Sequence, residues 1–426
     1  MSNGRDRTAV KKVIFLFWSS ERHAVTTAPH DAQFDIHPAA GDPHGGWLPR
    51  YGSAGMRTYI ERVLGAERSA LAPSVQALAT YIEDNEDVRR LANKACAECL
   101  ASVDTHSPRI EDVGALLHGF NTILTHAPGF IDGELIGLPF SAFLADLGRT
   151  ASGAALFRHP TVKLLTTNIL NDWHAFLGSP ASNVGFRVDG EQWLSAAAKE
   201  RYRFSLWRKD AGTPPYWNSW NAFLTRPFDD PAQARPIADP DSNRTVACPT
   251  DGAPVREDAF RFGGRHCTLA DLLATSVPQQ QALVDYYRLV DLFEGGRVFQ
   301  TELGPYDFQR WWAPVHGEVL FDPFTIPGGF ASGVIVIRTA DHGHVCCIPL
   351  GTSAACGIVF DPAMRRGARV RKGQEMGMFS GGGASFALFF EKLPGKELIF
   401  LNADGVRCSQ GSLSIGAQIG AWYVRK

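Results

Sequence analysis

Apolar residues recur with a helical period from about residue 56 to about 204. Tyr59, Ile60, Val63 and Leu64 share one face of a 3.6-residue repeat, and Val75, Leu78, Tyr81 and Ile82 do the same. The pattern continues through Val88, Leu91 and Ala95, then through Val113, Leu116, Leu117, Phe120 and Leu124. Further helices are predicted near 134–149, 160–177 and 190–202, with stops such as Ser107-Pro108 and Pro128-Gly129 between several of them. After about 245 the spacing changes. Val334-Ile335-Val336-Ile337, Val345–Leu350, Phe386–Phe390 and Leu398–Leu401 read as short strands between Gly and Pro turns. One helix is predicted among them, at about 268–293. The pattern divides the chain into an irregular lead-in (1–55), a helical domain (56–204), a connection rich in Pro and aromatic residues (205–245) and a β-rich domain (246–426).

Composition narrows the function. The 426 residues carry a net charge of −2, with 45% hydrophobic and 20% charged side chains. Such a chain is too apolar to be disordered, and it has no electrostatic footprint for nucleic acid or an anionic membrane. No stretch approaches the roughly 20 apolar residues of a membrane span. Lys11-Lys12 followed by Val13–Trp18 has signal-peptide polarity, but the apolar run falls short of the usual core of about 7–15 residues and reads as a docked N-terminal segment. Eight cysteines are too sparse for a disulfide scaffold. Adjacent Cys346 and Cys347 would face opposite ways on a strand, which suits reduced thiols. Cys96-Ala97-Glu98-Cys99 lies in a helical stretch and reads as packing. These features predict a soluble, cytoplasmic protein with a small-molecule substrate as its partner and no membrane span. A homo-oligomer is compatible with them.

The segment richest in signal lies near the C-terminus. Arg371-Lys372-Gly373-Gln374-Glu375-Met376-Gly377-Met378-Phe379 leads into Ser380-Gly381-Gly382-Gly383-Ala384-Ser385-Phe386 and runs on to Phe390-Glu391. It resembles the processing segment of the phosphatidylserine decarboxylase family, with its KG-x-E-x-G-x-F lead, Gly-Ser or Gly-Gly-Ser cleavage site and strand ending in Phe-Glu. Three further segments agree in order. Trp220–Arg226 with Ala234-Arg235-Pro236-Ile237 resembles the F-F-x-R…RPI segment, and Cys248-Pro249-Thr250-Asp251-Gly252 the PADG segment. Phe308-Gln309-Arg310-Trp311-Trp312-Ala313-Pro314-Val315-His316-Gly317 resembles YHR-x-H-x-P-x-x-G. The helical half and the run from Met378 to Leu388 are similar to the soluble fungal tryptophan decarboxylase branch of that family.

The resemblance implies an α+β fold, an all-helical N-terminal domain followed by a mostly antiparallel β domain, and a carbon–carbon lyase. It also implies a cofactor made from the chain itself. In this family a Ser hydroxyl attacks the preceding carbonyl, the chain is cut, and the new N-terminus becomes a pyruvoyl group. The base is a His oriented by an Asp. This sequence departs from the family at those positions. The cleavage Ser falls on Ala384, which has no hydroxyl, and the two His fall on Gln309 and Trp312, which do not titrate usefully near pH 7. Of the Asp–His–Ser set only Asp251 remains, as a carboxylate without its imidazole partner. No cofactor is therefore expected as sequenced, pyruvoyl only if position 384 were Ser, and the chain is expected to stay whole. Cleavage one residue later, at Ser385, would require a backbone shift and would still lack the base.

Other residues offer replacements. His316 stands where the family usually has Asn or Asp. His342 and His344, with Cys346, would share one strand face and are a speculative zinc or iron site. Trp311 and Trp312 either wall a flat pocket or fill the space of the lost His. Three readings follow. One is an uncleaved enzyme acting on a small amine- or carboxylate-bearing metabolite in specialised biosynthesis, with Asp251, Gln309, Trp312, His316, Ala384 and Ser385 around its site. Another is an aromatic amino-acid decarboxylase trapped as its precursor. The last is a non-catalytic binding member.

Overall fold

A computed structural model describes residues 54–101, 110–130, 139–255, 261–262, 265–266, 268–274, 277–303, 307–326, 332–351, 357–380, 384–408 and 411–425. Most of the predicted lead-in, the Ser107-Pro108 stop and Gly381-Gly382-Gly383 lie outside the described residues.

Helices come first: α1 (Ala54–Leu64), α2 (Pro73–Asp84), α3 (Glu86–Ala101), α4 (Val113–Ile123), α5 (Pro139–Arg149), α6 (Ala151–Arg158), α7 (Pro160–Gly178) and α8 (Ala196–Arg201). Their starts follow from local chemistry. Pro opens α2 and α7, while Asp112, Thr150 and Ser195 cap α4, α6 and α8 by accepting from the Ala115, Gly153 and Ala198 N–H groups. The predicted helix at 190–202 is a 3-10 turn, Gln192–Leu194, followed by α8. Ile60, Val63, Val75, Leu78, Ile82, Val88, Leu116 and Phe120 bury one continuous core. Gly119 lets α4 meet α5, because a Cβ there would stand 1.9 Å from Phe143 Cζ.

Trp193 anchors the end of this core. Its Nε1–H donates to the Pro128 carbonyl (2.8 Å), and the rings of Phe130, Phe186, Tyr202, Trp220 and Phe223 surround it at 5.0–6.2 Å. The segment 205–245, with α9 (Trp220–Leu224) and α10 (Pro231–Ala234), carries the aromatic stack onward. Trp207 stacks on Phe228 at 4.3 Å and on Phe308 at 5.5 Å. Phe308, Trp312 and Ile415 from the strand-rich half join the same core.

The predicted helix at 268–293 is three short ones: α11 (Leu269–Leu273), α12 (Pro278–Tyr286) and α13 (Leu289–Leu292). Pro278 restarts the helix, and Arg288, at φ +47°, breaks it again.

The strands are β1 (Thr245–Ala247), β2 (Ala253–Pro254), β3 (Arg261–Phe262), β4 (Arg265–His266), β5 (Arg297–Glu302) and β6 (Arg310–Trp312). They continue with β7 (Gly317–Val319), β8 (Phe324–Ile326), β9 (Ser332–Arg338), β10 (His344–Gly351) and β11 (Gly357–Phe360). The last are β12 (Arg369–Val370), β13 (Glu375–Ser380), β14 (Ala384–Phe390), β15 (Lys396–Ile399) and β16 (Gln418–Val424). Pairing between them is antiparallel. The largest sheet runs β12-β7-β9-β10-β14-β5-β2, with β8 on β9, and two three-stranded sheets run β1-β16-β15 and β11-β13-β6.

The large sheet is buried on both faces. Ile335, Ile337, Val345, Cys347, Phe386 and Leu388 face Trp311, Phe379 and Trp422 of the smaller sheets. Val334, Val336, Cys346, Ile348, Ala387 and Phe389 face α11–α13. Two-sided burial explains why these strands read as unbroken apolar runs. No helix among the described residues is long and apolar enough to cross a membrane.

Candidate functional site

The loop after β1, Cys248-Pro249-Thr250-Asp251-Gly252, is pinned at several points. Trp312 N–H donates to the Pro249 carbonyl (2.9 Å), and Gly252 and Leu413 exchange N–H···O bonds of 3.0 and 2.6 Å. Gly252 passes so close to β5 that a Cβ would lie 2.2 Å from the Glu302 carbonyl oxygen. Only glycine fits there, which is the physical content of the Asp-Gly pair.

Asp251 is not left without a partner. Arg235 donates through Nε to Oδ1 (2.9 Å) and through Nη2 to Oδ2 (2.6 Å), and the Ile415 N–H donates to Oδ1 (2.8 Å). The pair is mostly buried, and the guanidinium lies 4.8 Å over the Phe228 ring. A guanidinium thus stands where the sequence left the carboxylate without an imidazole. A fork-on-carboxylate pair holds the carboxylate in place and matches its charge. The sequence signal was present in Ala234-Arg235-Pro236-Ile237, but nothing in the spacing joins 235 to 251.

The backbone of Ala384 pairs with Gly351, and Ser385 pairs with Leu350 on one side and Glu302 on the other. Ser385 Oγ donates to the Thr301 carbonyl (2.8 Å) and accepts from Gln300 Nε2 (2.7 Å). Thr301 Oγ1 in turn shares a hydrogen bond of 2.8 Å with Thr250 Oγ1, one residue before Asp251. All four residues are buried. Ser385 shares the face of Ala387 and Phe389, whereas Phe386 and Leu388 belong to the opposite face, with Trp311 and Phe379. A one-residue shift exchanges those faces.

Gln309 is fully buried. Its Nε2 donates to the Asp307 carbonyl (3.2 Å), and its backbone carbonyl accepts from Phe379 N–H (2.7 Å). Trp311 and Trp312 take opposite faces of β6. Trp311 packs on Phe360, Phe379 and Phe386, in space that Gly377 leaves open. Trp312 meets Phe308 at 6.0 Å and Phe228 at 6.3 Å. Both indoles are core side chains.

His316 is held by backbone. Nδ1 accepts from Lys372 N–H (3.1 Å), so the proton sits on Nε2, which donates to the Pro240 carbonyl (2.7 Å). Lys372 is itself buried, with Nζ donating to the Asp239 carbonyl (2.9 Å), the Ser242 carbonyl and Thr245 Oγ1 (3.0 Å). Burial pulls its pKa down to about 8, with Asp239 opposing.

His342, His344 and Cys346 do not form a ligand set. His344 Nδ1 pairs with Glu391 Oε2 at 2.8 Å, and Cys346 is sealed in the core under α11–α13, where burial pushes its thiol up. Among the described residues no cluster of three or more His, Cys, Asp or Glu could hold a metal ion, which corrects the metal reading of His342 and His344. His342 instead joins His316 on the wall of a cleft of about 520 Å³ that also takes in Asp241, Arg244, Lys396 and Trp422.

The residues brought together are thus Asp251 and Ser385, through Thr250 and Thr301, with Gln309 and Trp312 on the adjoining sheet. They do not fit formation of a pyruvoyl group. Position 384 has no hydroxyl, the Ser385 hydroxyl is already engaged, and no imidazole stands at 309 or 312.

A family model described as phosphatidylserine decarboxylase matches residues 72–202, and a second of the same description matches 331–421. Together they span about half of the chain. "Decarboxylase iboD" of Amanita muscaria is 26% identical over 309 residues, 60% of this chain and 84% of that protein. "L-tryptophan decarboxylase" of Psilocybe cubensis is 25% identical over 332 residues, 65% of this chain and 72% of that protein. The fold and these matches define a decarboxylase scaffold. The chain belongs to the phosphatidylserine-decarboxylase-like family, close to the branch holding these two fungal decarboxylases.

Two outcomes are expected. Arg235→Gln leaves the Asp251 charge buried and uncompensated, and should cost on the order of 3 kcal/mol in denaturant unfolding, with Asp251→Asn on the same chain recovering part of it. For Lys372, the unfolded chain keeps its proton up to about 10.5 while the folded chain releases it near 8. Between those values the unfolded state binds more protons, so this group makes stability rise with pH. Unfolding measured across that window should show the wild type gaining on Lys372→Met, whose 372 position does not titrate.

Proposed function

We propose that this protein keeps the family scaffold as one continuous chain and works without a self-made pyruvoyl group. It acts on a small amine- or carboxylate-bearing metabolite in specialised biosynthesis, at the region around Asp251, Gln309, Trp312, Ala384 and Ser385. The observation that carries the reading is the state of the Ser385 hydroxyl. It is the one hydroxyl on β14, and it is buried, bonded in both directions and on the face away from Trp311. The likeness to two fungal decarboxylases supports a decarboxylase-type scaffold whose ligand is a small metabolite.

A second reading has its own support. Trp312 is 5% exposed and packed on Phe228 and Phe308, and Asp251 is neutralised by Arg235. A site so filled suits a non-catalytic binding member of the family. The trapped-precursor reading needs a base that this sequence lacks, since neither Gln309 nor Trp312 can take a proton from a hydroxyl.

Ala384→Ser separates these readings. The variant should remain a single band on a denaturing gel and release no CO₂ from L-tryptophan or related amino acids. Two bands together with CO₂ release would establish the trapped decarboxylase instead. Turnover of a carboxylate-bearing amine by the unmodified whole chain would favour the enzyme over the binding member.

A further inference from the structure

The segment 238–244, between α10 and β1, carries no helix or strand. Two side chains hold it in place. A left-handed turn at Asp239 (φ +46°) sends the chain round the buried Lys372 ammonium. Nζ donates to the Asp239 and Ser242 carbonyls and to Thr245 Oγ1, and that hydroxyl donates on to Asp239 Oδ2 (3.3 Å). The other holder is His316, just before β7. Its backbone N–H donates to Asn243 Oδ1 (2.6 Å), and its backbone carbonyl accepts from Asn243 Nδ2 (2.9 Å). Its ring bridges the Pro240 carbonyl and the Lys372 N–H.

The two ring contacts admit one protonation state. A backbone carbonyl only accepts and a backbone N–H only donates, so Nε2 must carry the proton and Nδ1 must be bare. An imidazolium has a proton on both nitrogens. The one on Nδ1 would meet the Lys372 N–H donor to donor, and a ring that turns away from it gives up Pro240 as well. Release of the segment also has a gain waiting. Burial is what pulls the Lys372 pKa down to about 8, and a segment that lifts off returns that ammonium to water.

We propose that His316 is a proton-sensitive fastener: as a neutral imidazole it holds segment 238–244 over Lys372, and as an imidazolium, in acid, it lets the segment go. The device shares no residue with the Asp251–Ser385 cluster and does not depend on the function proposed above. Several charged groups lie around it. Asp239, Asp241 and Arg244 are on the segment, Arg371 and Lys372 precede β13, and Glu318 on β7 pairs with Arg338. Asp341, His342 and Lys396 line the same cleft as His316. Only His342 among them is a second imidazole. Burial lowers its pKa, with Lys396 and Lys372 adding to this and Asp341 opposing, so it takes up its proton at lower pH than an ordinary imidazole.

Hydrogen–deuterium exchange of the intact chain at pH 7 and pH 5, with labelling times scaled for the intrinsic pH effect, tests this. Opening in peptides covering 238–248, 314–318 and 370–374 should rise about tenfold or more on acidification, while peptides from α7 stay unchanged. In His316→Asn, whose amide offers an acceptor near the place of Nδ1 and does not titrate, the rise should vanish. In His342→Gln it should persist. An unresponsive wild type overturns the proposal, as does an equal rise in α7. So does a rise that survives in His316→Asn or disappears in His342→Gln.

Discussion

A carboxylate gripped at both oxygens by Arg235, and at one of them also by the Ile415 amide, has its charge matched without an imidazole. That one ion pair ties together three distant stretches: the end of α10, the loop after β1 and the loop before β16. Because it is mostly buried, its two charges must stay together. The remaining replacements suit it. With the carboxylate already matched, an amide at 309 and an indole at 312 can be packed away without leaving a charge exposed to an apolar core.

The same neighbourhood engages the nearest hydroxyl, that of Ser385. Thr250 and Thr301 link the Asp251 loop to β5, and Thr301 and Gln300 hold Ser385 from both sides. Each polar atom named here has its partner, so the network is rigid. Strand pleat places Ser385 toward α11–α13, while Trp311 and Phe379 lie on the other face. The sheets that position a processing segment are kept, and Ser385 and Thr301 hydrogen-bond between its strands. Family membership therefore describes the scaffold, and the side chains around Asp251 decide what it can do.

Much of the architecture was legible in the apolar pattern. The faces read at Ile60 and Val63, at Val75, Leu78 and Ile82, and at Leu116, Leu117 and Phe120 are buried faces of helices, and the four apolar runs fall on β9, β10, β14 and β15. The helix expected at 268–293 failed because a proline and a left-handed Arg288 cut it, which periodicity alone does not weigh. The site was less legible. Motif order located Asp251, Gln309, Trp312 and Ser385, but hydrogen-bond partners far apart in sequence have no periodic signature. Gln300 and Thr301 were invisible for that reason, and Arg235 and Lys372, though they stood within the motifs, gave no sign of their partners. His316 looked like new chemistry because its residue type is reactive, yet both its ring nitrogens are spent on backbone groups.

The account stands on the chain remaining uncut at the β13–β14 junction. Intact-mass spectrometry of the purified, unmodified protein reads this most directly. A single species near 46.5 kDa is the predicted result. Two fragments dividing near residue 384, the smaller with a blocked N-terminus, would contradict it.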